Sequence, residues 1–280
     1  MKLVSLTVLH YGREWLEWAL RAVYPFVDEM HVFYTPHPSH GHQQTRHKCP
    51  DSKEELHGIV SAFPTARWHE TTQFYDEGPQ RDYARDFCLE QGADLIVVVD
   101  ADEVWDPDDL NQSIEEASGK PGLWKSRIKG NLWKGVNWVC RDELSPDRFI
   151  SPGSHAASRS LRSSREPRYL SGPGFWHFGY AVSMQSMLYK LSIHGHKDEL
   201  RKDWAFIYQN WKGLEDTPLD GVHPTNTRDS TTGKAFWVPE PFDRREIAHL
   251  VGDHPYFNDQ ICPVGFHYDG FEQEGRRGRT

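Results

Sequence analysis

The stretch Leu95-Ile-Val-Val-Val-Asp-Ala-Asp-Glu-Val-Trp105 runs five aliphatic residues straight into three carboxylates, Asp100, Asp102 and Glu103. Like charges that close repel, raise each other's pKa and lose hydration unless a cation sits between them. Hard oxygen donors suit Mg²⁺ or Mn²⁺, and such ions complete their shell with phosphate oxygens. The spacing therefore predicts a divalent metal at Asp100 and Asp102, with a diphosphate as its cargo. Asp106-Pro-Asp-Asp109, just beyond, reads instead as the cap of a following helix.

Such a cluster needs elements to hold it. KLVSLTVLHYG reads as a strand, REWLEWALRAVYPFVDE as a helix with Trp15, Leu16, Ala19, Leu20, Val23 and Phe26 near helical period, and MHVFYT as a second strand. After a polar loop, SKEELHGIVSAF reads as a helix, ARWHETTQF as a third strand, and PQRDYARDFCLEQGA as a helix ended by Gly92. LIVVVDADE is then a fourth strand, apolar enough for the interior of a parallel sheet covered on both faces. Alternating strands and helices predict a doubly wound α/β sheet whose ligands bind beyond the carboxyl ends of the strands, where Asp100 and Asp102 lie. From Pro121 the character changes. A tryptophan-rich strand-like run, a basic connection, a short strand at GFWHFGY and a helix interrupted near Gly195 follow, and the chain from Gly221 onward has many prolines and little periodicity.

Over roughly residues 1 to 110 this order, with a Gly-x-x-Arg-Asp-x-Ala helix (Gly78, Arg81, Asp82, Ala84) leading into strand-DxD, resembles a glycosyltransferase of the GT-A fold, close to the family 2 type. The resemblance implies a Rossmann-like, mostly parallel α/β sheet with helices on both faces and a C-terminal acceptor-side extension. It implies a catalytic domain over 1–220, with a nucleotide-sugar half (1–110) and an acceptor half (111–220), and an extension and tail over 221–280. It further implies transfer of a sugar from a nucleotide-diphosphate sugar, a UDP-sugar favoured, to a hydroxyl acceptor, with Mn²⁺ or Mg²⁺ and inversion at the anomeric carbon. Asp102 would be the direct metal ligand, Asp100 a ribose or second metal contact, and Arg81 and Asp82 would lie near the nucleotide. A further metal ligand is expected from a histidine in the C-terminal half. His177 in GFWHFGY is the choice and His223 the runner-up, while His194 and His196 cannot share one face of a regular helix. The chain departs from the family pattern at Tyr34-Thr35-Pro36, which stands where acidic residues are usual.

An inverting displacement needs a base opposite the leaving group. Glu143 and Asp198 are the candidates put forward, with Asp142 and Glu199 beside them. Eleven tryptophans are many, and Trp124, Trp133, Trp138 and Trp176 gather in the acceptor half. Their rings could stack on sugars or nucleobases, with core packing as the default. Lys125, Arg127, Lys129, Lys134, Arg141, Arg159, Arg162, Arg165 and Arg168 form a basic run that could track a phosphate backbone. A phage-type DNA glycosyltransferase acting on 5-hydroxymethylated pyrimidine bases is therefore the alternative to a glycan-directed enzyme. Nucleotidyl transfer is weaker, because HYGRE is not a phosphate loop, and a non-catalytic sugar-binding protein leaves the carboxylates unexplained.

The net charge of −9 opposes wholesale nucleic-acid binding. The four cysteines have no CxxC spacing and are too few to staple 280 residues, so reduced thiols in the cytoplasm, a host's cytoplasm if the source is viral, are expected. No stretch approaches the ~20 apolar residues of a membrane span.

Overall fold

A computed structural model describes residues 1–38, 47–141, 144–152, 168–195, 199–225, 233 and 235–258. The first half alternates as expected: β1 (Leu3–Leu9), α1 (Arg13–Val23), β2 (Glu29–Tyr34), α2 (Lys53–Ser61), β3 (Ala66–Glu70), α3 (Glu77–Glu90) and β4 (Leu95–Val98). The second half is β5 (Glu103–Trp105), α4 (Pro107–Ala117), β6 (Leu123–Trp133), β7 (Trp138–Cys140), β8 (Asp147–Ile150), β9 (Arg168–Tyr180), α5 (Met184–Ser192), α6 (Trp204–Asn210), β10 (Glu240–Pro241) and α7 (Ala248–Val251).

Among the described residues, ten strands form a single sheet with the order β10-β7-β6-β8-β4-β1-β2-β3, and β9 pairs with β5 and β6. The run β4-β1-β2-β3 is parallel throughout, as crossover helices require. Beyond β4 the sheet continues through antiparallel β8. The alternation of side chains along each strand explains the helices on both faces. Leu95 and Val97 of β4, with Val99 just beyond it, share a core with Leu16 and Leu20 of α1, Leu56 of α2 and Leu110 of α4. Ile96 and Val98 face the other way, into a cluster with Ala84 and Cys88 of α3. The unbroken aliphatic run is thus a central strand with two dry faces, and its full burial follows.

Helix starts follow local chemistry. Ser52 and Glu55 form a capping box on α2, Asp76 caps α3, and Asp106 with Pro107 opens α4, as its sequence suggests. The expected single fourth strand is two. β4 stops at Val98, the chain turns through Asp100-Ala101-Asp102, closed by the Glu103 N–H on the Asp100 carbonyl at 3.1 Å, and β5 pairs with β9, not with the β1 and β8 neighbours of β4. The strand at GFWHFGY is longer than expected, because β9 pairs along most of β6 and with β5.

Residues beyond Gly221 join the same cores. Val222 and Trp237 pack with the aromatic cluster of α6, and Phe242, Ile247 and Val251 with Trp15 of α1. His254 lies flat on Trp15, ring centroids 3.6 Å apart. The Tyr256 N–H donates to its Nδ1 at 2.9 Å, so the ring proton is on Nε2, which donates to the Glu14 carbonyl at 2.7 Å. Burial pushes this imidazole down to about 4 from 6.5. A histidine lowered on folding contributes stability that is complete above pH 6.5 and is lost as pH falls toward 4. Urea unfolding at pH 7 and at pH 5 is therefore expected to show about 2 kcal/mol less pH-dependent loss in His254→Gln than in the wild type. Equal losses in the two proteins would remove His254 from this role.

Candidate donor-binding site

The carboxyl ends of β1, β2 and β4 open on a cleft of about 380 Å³, where the fold places ligands. His10, Tyr11, Thr35, Arg81, Asp102 and Lys190 are among its walls. After β1 the chain turns at Gly12, whose φ is 131°, and a Cβ there would lie 2.7 Å from Cβ of Ala101. Glycine is thus what lets the turn after β1 rest on the carboxylate turn after β4. Asp51 accepts from the Gly12 and Arg13 N–H groups, at 2.7 and 2.9 Å, at the start of α1. His10 donates through Nδ1 to the Thr35 carbonyl at 2.9 Å, which leaves Nε2 to accept from the Tyr189 hydroxyl at 2.5 Å. Burial lowers its pKa and keeps it in this neutral form.

The three carboxylates do not share one cation. Asp100 is held on both oxygens by arginine: Arg81 donates to Oδ1 at 3.1 Å and Arg148 to Oδ2 at 2.9 Å. Arg148 also bonds Glu103, which is 2% exposed. Burial pushes the Glu103 carboxyl up to about 7, with the Asp100 charge adding to the rise and Arg148 opposing it. Glu103 is therefore part of the interior beneath the cleft and not of its wall. Asp102 does face the cleft. Its Oδ2 lies 3.3 Å from Nζ of Lys190 and 3.6 Å from Nε2 of His177. Burial acts to raise its pKa, but Lys190 and His177 outweigh burial and hold the carboxyl well below the usual carboxylate range.

His177 is brought to Asp102 by strand pairing. In β9 it stands opposite Glu103 of β5 and beside Asn131 of β6, and the Phe178 N–H donates to the Asp102 carbonyl at 2.7 Å. The Asn131 side-chain oxygen accepts from Nδ1 at 2.8 Å, which fixes the ring with Nε2 toward Asp102. Of the residues put forward from the sequence, Arg81, Asp100, Asp102 and His177 all line this cleft. Asp82 pairs with Arg85 at 2.8 Å and does not line the cleft. His223 packs against Phe236 and Trp237, with its pKa pushed by burial down to about 4, and likewise does not line it. Glu143, Asp198, Asp142 and His196 lie outside the described residues, as do Arg159, Arg162 and Arg165.

A divalent ion needs donors free to bind it. Among the described residues no group of three or more His, Cys, Asp or Glu side chains is arranged to hold one. Asp100, expected as a ligand with Asp102 and His177, has an arginine on each oxygen, and an ammonium already lies on Asp102. The residues therefore do not fit the three-ligand metal site that the sequence suggests.

Lys190, Arg148, Asn131 and His10 escape the sequence reading. Lys190 and Arg148 leave one signal, a cation inside an apolar pattern. Lys190 follows Met187, Leu188 and Tyr189, all buried, and Arg148 sits in a strand whose four residues are all buried.

No family model matches the chain, and no curated protein matches it by sequence. Among solved structures it is similar to residues 1–349 of S. aureus TarS in complex with UDP, at 11% identity and TM-score 0.40, over 71% of this chain and 69% of that one. It spans 38% of the longer TarS chain, at 12% identity and TM-score 0.39, over 67% of its own length. It is also similar to glucosyl-3-phosphoglycerate synthase from Mycobacterium tuberculosis in complex with Mn²⁺, UDP-glucose and phosphoglyceric acid, at 14% identity and TM-score 0.31, over 46% of this chain and 44% of that one.

Proposed function

We propose that the protein transfers a sugar from a nucleotide-diphosphate sugar, a UDP-sugar in the first instance, to a hydroxyl acceptor. The observation that carries this reading is the Asp102 turn at the end of a central parallel strand, facing a cleft that also presents Lys190 and Arg81. Cationic groups beside a cleft at this point of the fold suit a diphosphate, whose charge grows as it leaves. The bond from the anomeric carbon to the β-phosphate oxygen breaks with its electron pair on that oxygen, and the acceptor oxygen bonds the carbon from the opposite face. The acceptor proton passes to a carboxylate, for which Glu143 and Asp198 stay the proposed residues. Arg148 ties Asp100, at the cleft wall beside Asp102, to the buried Glu103.

The acceptor is proposed to be a glycan or another neutral hydroxyl compound. Lys125 is bound to Asp147, Lys129 to Asp109, Lys134 to the carbonyls of Gln209 and Trp211, and Arg141 to Glu240. Four members of the basic run thus already hold oxygens of this chain. Trp124, Trp133 and Trp176 are buried in the core and present no free face to a base or sugar. Among the described residues no helix is long and apolar enough to cross a membrane.

Incubation with UDP-, GDP-, CDP- and TDP-sugars tests the reading. Slow release of the free nucleoside diphosphate from one of them is expected, because transferases leak donor to water. Release from none, with or without candidate acceptors, would overturn it. Transfer to hydroxymethylated DNA that weakens steeply with salt would reinstate the DNA acceptor.

A further inference from the structure

The sequence leads one to look for a cation at Asp102, and the chain supplies its own. Lys190 reaches from α5 to place Nζ 3.3 Å from Asp102 Oδ2 and 3.1 Å from the Gly179 carbonyl, 4.9 Å from the centre of the Tyr180 ring. These contacts fix an ordinarily flexible side chain at the wall of the cleft. Gly179 makes the arrangement possible. A Cβ on that residue would lie 2.4 Å from Nζ of Lys190, 2.6 Å from Oδ2 of Asp102 and 2.7 Å from Cε1 of His177. Asp100 is balanced separately by Arg81 and Arg148, so the ammonium is matched to Asp102.

We propose that Lys190 is the resident cation of the diphosphate subsite, so that donor binding and departure of the nucleoside diphosphate rest on a protein ammonium instead of a divalent ion. This rests on the transferase reading above. Among the described residues, two of the three ammonium N–H bonds go to Asp102 and Gly179, and the third is available to a diphosphate oxygen. As the anomeric carbon–oxygen bond breaks, its electron pair becomes negative charge on the β-phosphate, and the ammonium stabilises that charge without giving up a proton. Asp102 and Gly179 act as positioning residues that hold Lys190 where the charge appears.

The test is calorimetric titration of the full chain with UDP, GDP, CDP and TDP, in EDTA and again in Mn²⁺. For the diphosphate that binds, wild-type affinities are expected to agree within about twofold in the two conditions, since the site's cation is covalently part of the chain. K190A is expected to bind at least about 30-fold more weakly in EDTA, the scale of losing one partner of a close charge pair. K190R should keep most of the affinity, and G179A should weaken it in the same direction as K190A by moving the ammonium. Circular dichroism checks that each variant is folded, and the wild-type comparison decides the matter alone if one is not. Wild-type binding that appears only with Mn²⁺, or K190A binding as tightly as wild type in EDTA, overturns this inference while leaving the transferase reading in place. Binding of no nucleoside diphosphate in either condition overturns the transferase reading, and this inference with it.

Discussion

Arg148→Met is expected to cost about 3–5 kcal/mol of folding stability, the scale for removing one partner of a buried ion pair. Arg148 is 6% exposed and bridges Asp100 and Glu103, so its loss strips the buried Glu103 of its guanidinium and removes one of the two arginines on Asp100 at the cleft. Glu103, already pushed up to about 7 by burial, would then hold its proton more firmly. A carboxyl raised on folding contributes stability that is complete below its unfolded value of 4.5 and is lost as pH rises through its folded value. The variant should therefore be weakest above pH 7, and adding Glu103→Gln should restore much of the loss by removing the charge. Urea melts at pH 6 and pH 8 measure both effects. A variant as stable as wild type at pH 8 would show that Arg148 does not tie Asp100 to Glu103.

Asp102→Asn should lower the rate of donor turnover by about 10²-fold, the loss typical of a reacting group held about 1 Å out of place. Asparagine keeps the size of the side chain and leaves the Phe178 N–H bond to the backbone carbonyl intact, so the turn should survive. It removes the negative charge that holds Lys190 at the cleft, and the neighbour that His177 faces. Nucleoside diphosphate release, followed beside a thermal melt, separates the two consequences. Undiminished turnover in Asp102→Asn would sink the assignment of Asp102 to the site.

The parallel half of the fold is legible because its signals are local. An aliphatic run such as Leu95 to Val99 admits few readings, and the helix before it carries its own start and end. The turn that divides β4 from β5 is not legible, since five apolar residues and the following EVW look continuous until pairing with β9 pulls them apart. Asp102 and His177 can be found because a carboxylate after a buried strand and a histidine closing an aromatic run are unusual in themselves. Their partners are harder. Lys190 is 88 residues from Asp102 and Arg148 is 48 from Asp100, and nothing nearby in sequence reports that an acid far away will need a cation. Composition also misleads: the tryptophans and lysines of the acceptor half look like a binding surface, and folding spends them on cores and internal ion pairs.

Asp51 at the head of α1 changes what this fold can be used for. In many α/β proteins the N-terminus of the first helix receives the phosphates of a bound nucleotide, because its free N–H groups and dipole attract an anion. Here two of those N–H groups already hold the chain's own carboxylate. The protein carries a tethered competitor for that seat, present at the high effective concentration of an intramolecular group. An anion could sit there only by displacing Asp51, whereas Arg81 of α3 and Lys190 of α5 line the cleft without that obstacle.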